Sequence, residues 1–208
     1  AGLDVLDIIN EPTAAALAFG YQQGMLSLTS PQPSNAGRRI LVYDLGGGTF
    51  DVTILEIEGH EFRALATDGD VRLGGKDFDE RLVNFLAQVF LDRHGADPRS
   101  DPQDAAQLWQ DAMEAKHALS ERRRTSVVLH HAGIRMRVEL TREQFQELTR
   151  DLTERTEATT SLVLKEAGLS WSEIDRVLLV GGATRMPAVS EMLLRLSGRQ
   201  PDCSVSPD

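Results

Sequence analysis

Three consecutive glycines, Gly46, Gly47 and Gly48, lie between two apolar segments and constrain the fold more than any other feature. Residues 40–43 before them form a short apolar run that is typical of a buried strand. Residues 51–57 after them alternate between polar and apolar side chains, which predicts a second strand. Because glycine accepts backbone conformations and close contacts that other residues avoid, the chain is expected to turn tightly between the two strands.

The same turn carries groups that suit a phosphate ligand. Glycines allow backbone N–H groups to approach anionic oxygens, and Thr49 adds a hydroxyl next to them. The carboxylates of Asp44 and Asp51 flank the turn and suit a hydrated Mg²⁺ ion, which keeps most of its waters. The segment is neither a Walker A loop nor a dinucleotide fingerprint, since Asp51 stands where the third glycine would be. An ordinary glycine-rich hairpin turn explains it equally well.

A second glycine pair follows an apolar run near the end of the chain. Residues 177–180 read as a buried strand that leads into Gly181 and Gly182, and ligands bind at such strand ends in α/β proteins. Arg185 offers a planar guanidinium that could stack on a nucleobase. The alternative is an ordinary turn between a strand and a helix.

Two further segments contain polar candidates on predicted helices. Lys116 and Ser120 lie four residues apart on one helix face, away from an apolar stripe, so this face lines a pocket or is simply solvated. Glu11 precedes a proline and an alanine-rich helix, where the helix dipole stabilises a carboxylate. A role in holding water or a metal ion is the functional alternative for Glu11.

The remaining patterns predict a mixed α/β chain with a linker at residues 22–38. Helices are expected at 11–20, at 78–90, from Asp101-Pro102, from a capping box at 141–144 through to Gly168, and from Pro187 to about 197. A second capping box opens at Ser170. Residues 69–75 are expected to be a loop, and 125–131 and 134–140 a hairpin. These elements form a sheet-rich block from 1–75 and 170–208, with a helix-hairpin-helix insert at 76–169.

The composition excludes several classes of function. Apolar residues make up 41% and charged residues 26%, values typical of soluble globular domains. The net charge of −10 argues against a broad nucleic-acid surface and against attraction to an anionic membrane. The single cysteine, Cys203, cannot form an internal disulfide and fits a reducing compartment. We therefore expect a cytoplasmic protein, and the opening alanine suggests a piece of a longer chain.

Taken together and in this order, four segments resemble signatures of the 70-kDa heat-shock chaperone family, the DnaK-like proteins. They are I-N-E-P-T-A-A-A at 9–16, D-L-G-G-G-T-F-D-V at 44–52, L-G-G-K-D-F-D at 73–79 and V-G-G-A-T-R-M-P at 180–187. Weaker matches fill the intervals, so the resemblance covers essentially the whole chain. Each motif alone is unspecific, whereas four in the correct order and spacing are highly specific.

The resemblance implies an actin-like ATPase (ribonuclease H-like) lobe with an inserted helix-hairpin-helix subdomain. Residues 1–75 would hold the end of a lobe I helix and the first part of subdomain IIA, 76–169 subdomain IIB, and 170–208 the return to IIA. The function implied is that of an ATP/ADP-binding lobe, with Mg²⁺, of a chaperone whose ATP hydrolysis drives peptide binding and release. A divergent non-catalytic paralogue that acts through protein contacts is one alternative, and another actin-fold ATPase is the other.

The resemblance also assigns roles to individual residues. It places Glu11, Asp44, Thr49 and Asp51 in catalysis, with Glu11, Asp44 and Asp51 holding Mg²⁺ through water. It assigns nucleotide binding to Gly46, Gly47, Gly48, Thr49, Gly75, Lys116, His117, Ser120, Gly182, Arg185 and Asp208. The family's first phosphate loop and catalytic lysine would lie upstream of Ala1, so the 208 residues alone are expected to be inactive as an ATPase.

Partners and departures from the family pattern follow from the same comparison. The family works with a J-domain co-chaperone, with a nucleotide-exchange factor that would contact residues 76–169, and with unfolded peptides. Asp7 stands where DnaK-type members carry a basic residue, which puts the J-domain contact in doubt. Met113 replaces the usual ribose-binding glutamate and removes a hydrogen-bond acceptor, while His117 replaces the residue stacked on adenine.

Overall fold

A computed structural model of the chain describes residues 11–22, 37–59 and 61–203. The helices are α1 (Glu11–Gln22), α2 (Gly75–His94), α3 (Pro102–Glu121), α4 (Arg142–Leu148), α5 (Arg150–Glu166) and α6 (Pro187–Ser197). The strands are β1 (Arg38–Leu45), β2 (Phe50–Glu58), β3 (Glu61–Asp70), β4 (Arg124–His131), β5 (Ile134–Thr141) and β6 (Arg176–Val180). Short 3₁₀ turns occupy Pro98–Ser100, Trp171–Glu173 and Gly182–Arg185.

Four strands form one mixed sheet in the order β3-β2-β1-β6. Strands β1, β2 and β3 are antiparallel neighbours, and β6 joins the edge of β1 in parallel. The register places Leu45 opposite Phe50, so residues 46–49 form the turn that the three glycines predict. The hairpin β4–β5 is a separate two-stranded sheet, and its turn uses positive φ at Ala132 and Gly133.

Helices cover both faces of the main sheet. Ile40 and Val42 of β1 pack with Phe19 of α1 on one face. The alternate residues Leu41 and Tyr43 point into the larger core on the other face, to which α2, α3, α5 and α6 contribute. The alternating exposure expected for β2 is wrong, because residues 52–56 are all buried. Helix α1 contacts β2 on one side and α5 contacts it on the other, so neither face is left to solvent.

The long helix expected from residue 142 to Gly168 is also wrong, because it is two helices. The capping box is present as predicted, with the Thr141 hydroxyl accepting from the Gln144 N–H at 3.1 Å. Thr149 ends α4 with φ −117° and ψ 11°, and its hydroxyl donates to the Phe145 carbonyl at 2.8 Å. The Phe145 carbonyl therefore accepts from both the backbone N–H of Thr149, at 3.1 Å, and the Thr149 hydroxyl at the break between the two helices.

Three smaller expectations are corrected or lie outside the described residues. Strand β3 continues to Asp70, so the loop expected at 69–75 is shorter. The capping box at Ser170 opens only one 3₁₀ turn, Trp171–Glu173. The start of the chain and most of the linker expected at 22–38 lie outside the described residues. Within the ranges that the structure describes, no helix is both long and apolar enough to cross a membrane.

Candidate functional site

Two glycine turns pack directly against each other at one end of the sheet. The N–H of Gly75 donates to the Gly46 carbonyl and that of Lys76 to the Gly47 carbonyl, both at 2.9 Å. A Cβ atom added to Gly74 would lie 2.4 Å from the backbone nitrogen of Gly48. Only glycine permits this approach, so the start of α2 is held on the β1–β2 turn by backbone contacts.

A third glycine turn meets the same end of β1. Gly181, which follows β6, has φ +84°, and a Cβ atom there would lie 2.4 Å from the Leu45 carbonyl oxygen and 2.7 Å from Oδ1 of Asp44. The hydroxyl of Thr184 donates to the Gly181 carbonyl at 2.6 Å and stabilises the 3₁₀ turn that follows. Because β1 and β6 are parallel neighbours, their carboxyl ends bring both turns together.

Helix α3 forms the opposite wall and carries a buried ion pair. Nζ of Lys116 lies 2.8 Å from Oδ2 of Asp79 and donates to the Gly75 carbonyl at 3.0 Å. Lys116 is 7% exposed and Asp79 is 4% exposed, so the alternative of a solvated helix face is wrong for Lys116. The hydroxyl of Ser120 donates to the Lys116 carbonyl at 3.1 Å. The pair ties α3 to the start of α2.

These elements enclose a cleft with a volume of about 540 Å³, within the usual range for small-molecule sites. Its lining comprises Gly47, Gly75, Lys76, Asp79, Trp109, Met113, Lys116, His117, Ser120, Glu121, Gly182, Ala183, Arg185 and Met186. The ammonium groups of Lys76 and Lys116 lie next to the glycine turns, 3.7 and 3.3 Å from where Cβ atoms on Gly48 and Gly75 would lie. Trp109 and Met113 add an apolar surface from α3, so the cleft offers both polar and apolar contacts to one ligand.

Comparison with known proteins identifies the family. The whole chain, residues 1–208, matches the family described as Hsp70 protein. The chain belongs to the Hsp70 family. Membership implies an actin-like ATPase fold, and the mixed sheet covered by helices is a mixed α/β structure of the expected class.

Two curated relatives show how much of an Hsp70 protein this chain spans. It is 42% identical over 214 aligned residues to the chaperone protein DnaK of Metamycoplasma hominis. This alignment covers all of this chain and 34% of the relative. It is 44% identical over 216 residues to the chaperone protein DnaK of Thermus thermophilus, again over all of this chain and 33% of the relative. The chain therefore spans about a third of the length of these Hsp70 relatives.

The structure brings most of the predicted nucleotide-binding residues of this Hsp70 chain to the cleft. Its lining includes Gly47, Gly75, Lys116, His117, Ser120, Gly182 and Arg185. Gly46, Gly48 and Thr49 lie beside Gly47 on the same turn. Glu11 is the first residue of α1, but its side chain lies outside the described atoms, and Asp208 lies outside the described residues.

Several residues of the lining were given no role from the sequence, among them Lys76, Asp79 and Trp109. Trp109 precedes Met113 by one helical turn on α3, a spacing that would have indicated it. Lys76 directly follows Gly74 and Gly75, which is its clearest signal in the sequence. Asp79 lies 37 residues from its partner Lys116, and no local pattern predicts that contact.

The two carboxylates predicted to hold Mg²⁺ flank the glycine turn. Asp44 and Asp51 are paired across β1 and β2; Asp44 is 9% exposed, and Asp51 is open to solvent. Among the described residues, no group of three or more His, Cys, Asp or Glu side chains could hold a metal ion. Two carboxylates suit an ion that keeps most of its waters, as Mg²⁺ does, so the donors present fit indirect binding through water.

Proposed function

We propose that this chain is an adenine-nucleotide-binding lobe of an Hsp70-type chaperone. In the whole protein, ATP binding and hydrolysis would drive the binding and release of unfolded peptides. The observation that carries the proposal is the meeting of three glycine turns at a single cleft that cationic side chains also line. Glycine turns of this kind expose backbone N–H groups to anions, and an adjacent apolar wall suits a nucleobase.

The nucleotide would lie along the cleft with its phosphates at the glycine end. Gly46, Gly47, Gly48 and Thr49 would contact the β- and γ-phosphates, and Gly182 would contribute from the other side. The nucleoside would lie between α3 and Arg185, beside His117 and Ser120, with the adenosine pocket closed by Asp208. Support comes from the described N–H groups of Gly47 and Gly48, which donate no hydrogen bond within the described residues.

The catalytic assignments concern charge and water at the phosphate end. Mg²⁺, when bound, neutralises phosphate charge and favours attack by water. Asp44 and Asp51 would orient its water ligands, with Glu11 in the same network. Asp44 lies nearly buried at the junction of the β1–β2 turn and Gly181, where a carboxylate can accept hydrogen bonds from ordered water.

Subdomain and partner assignments belong to the same proposal. Residues 76–169, which contain α2, α3, the β4–β5 hairpin, α4 and α5, would form subdomain IIB and present the surface for a nucleotide-exchange factor. The flanking sheet would form subdomain IIA. In the whole protein, peptide clients would act on further surfaces in the cytoplasm, as would a J-domain co-chaperone, whose contact the acidic Asp7 would weaken.

The proposal is tested by calorimetric titration of the 208-residue chain with Mg·ADP and, separately, with Mg·GDP. We expect ADP to bind at one site and GDP to bind at least about 10-fold more weakly. A site whose polar groups form hydrogen bonds with adenine would leave some of those groups unpaired when guanine is bound, and this costs affinity. Met113→Glu should strengthen ADP binding, because it adds an acceptor to the wall of the cleft. Equal affinities for ADP and GDP, or no ADP binding by either protein, would contradict the proposal.

A further inference from the structure

We propose that Lys76 binds the terminal phosphates of the ligand in this cleft and makes its affinity depend on phosphate number. The inference rests on the proposed function, because it assigns a binding residue to the same site. Lys76 is the second residue of α2 and lines the cleft next to Gly47 and Gly75. Its role follows from where its ammonium lies, from its lack of a partner within the described residues and from its unfavourable place in the helix.

The ammonium of Lys76 lies over the glycine turn. Nζ is 3.7 Å and Cε is 3.9 Å from the point where a Cβ atom on Gly48 would lie. The backbone N–H of Lys76 donates to the Gly47 carbonyl, which fixes the start of this side chain against the turn. A phosphate held by the N–H groups of Gly47 and Gly48 would therefore lie within reach of the flexible lysine side chain.

The charge of Lys76 is not used by the part of the fold that the structure describes. Within the described ranges, its ammonium forms no hydrogen bond or ion pair, whereas Lys116 is neutralised by Asp79 at 2.8 Å. Lys76 is also exposed, so its charge is not needed to balance a buried carboxylate. It is therefore available to an anionic ligand without breaking a described contact of the folded chain.

The first turn of a helix is an unfavourable place for a cation. The dipole of the 20-residue helix α2 places partial positive charge at this end, so a lysine here costs stability. The N–H groups of Gly75 and Lys76 already donate to the β1–β2 turn, so the helix end offers no free donor at these positions. The ammonium supplies the charge that these occupied N–H groups cannot offer to a phosphate.

Lysine is rare in this chain, and two of its lysines lie at the cleft. Of its 22 basic residues, 19 are arginine and three are lysine, and two of those three, Lys76 and Lys116, line the cleft. Lysine presents a compact point charge with three donors on a flexible chain, which suits phosphate oxygens in more than one position. The third, Lys165, is exposed on α5 outside the cleft and offers a matched control.

The test compares Lys76→Gln with wild type in titrations with adenosine, ADP and inorganic tripolyphosphate. We expect Lys76→Gln to weaken the binding of ADP and of tripolyphosphate by about 5-fold, with a smaller effect at high ionic strength. The affinity for adenosine should not change. Its melting temperature should be equal to wild type or higher by about 1–3 °C, because the unfavourable dipole contact is lost. Lys165→Gln should change none of these affinities.

The outcomes separate this inference from the proposed function. One outcome is that the wild-type protein binds tripolyphosphate through Lys76 but does not distinguish ADP from GDP. This result would support the phosphate-binding role of Lys76 and contradict the assignment of the cleft to adenine nucleotides. Selective ADP binding that Lys76→Gln leaves unchanged would overturn the inference alone. An equal loss of adenosine and ADP, or a lower melting temperature for Lys76→Gln, would also overturn it, because the residue would then be structural.

Discussion

Replacing Lys116 with alanine will lower the free energy of unfolding by about 3–5 kcal/mol, because one partner of a buried ion pair is removed. The pair joins α3 to α2 at 2.8 Å, and both side chains are less than one tenth exposed. Without Lys116, the carboxylate of Asp79 remains buried with no compensating charge. Its second oxygen, Oδ1, is already buried and without a hydrogen-bond partner within the described residues.

The double variant Lys116→Met/Asp79→Asn separates the charge effect from the packing effect. It removes both charges and keeps similar side-chain volumes, so it should recover more than half of the stability that Lys116→Ala loses. Urea unfolding of the single and double variants measures both quantities, with Lys165→Ala as the exposed control. A Lys116→Ala variant as stable as Lys165→Ala would show that the pair does not hold the two helices together.

Gly181→Ala is expected to be the most damaging single methyl addition in the three glycine turns beside the cleft. The residue has φ +84°, which costs an L-residue about 1–2 kcal/mol. The new Cβ would also lie 2.4 Å from the Leu45 carbonyl oxygen, which belongs to a central strand and cannot move freely. Strain and overlap together predict a loss of about 3–4 kcal/mol, since overpacking adds about 1–3 kcal/mol.

Gly198→Ala provides the matched control for this variant. Gly198 ends α6 with φ +67°, but a Cβ atom there would meet nothing within 4 Å among the described residues. Only the backbone strain remains, so the loss should be about 1 kcal/mol. Thermal or urea unfolding of the two variants compares them directly. Equal losses would mean that the contact between Gly181 and Leu45 is not close in solution.

Local sequence patterns predicted the helices, strands and turns of this fold better than they predicted which residues are buried. The glycine turn, the β4–β5 hairpin and the capping box at Thr141 depend on neighbouring residues, and the structure confirms them. The break at Thr149 was missed, since threonine is tolerated within helices and nothing in the sequence shows that the backbone of Thr149 leaves the helical conformation. The burial of residues 52–56 of β2 was missed because it depends on two helices that pack on opposite faces.

Some residues of the candidate site could likewise be found from local sequence patterns, whereas others could not. Its glycines could be found from the sequence because they follow apolar strands, and parallel pairing of β1 and β6 brings their turns together. The burial of Lys116 could not be found, because its partner Asp79 and its acceptor Gly75 lie on another helix. The position of the Lys76 ammonium depends on how two glycine turns pack, which no sequence pattern specifies.

The most direct test of the central claim is to map Mg·ADP binding on the backbone amide NMR signals of the 208-residue chain. The claim predicts that the largest shift changes occur at Gly47, Gly48, Gly75 and Gly182, followed by residues of α3 that face the cleft, such as Ser120. Gly198, which lies at the end of α6, should remain unchanged. Shift changes confined to α5 and α6, with the glycine turns unaffected, would contradict the account.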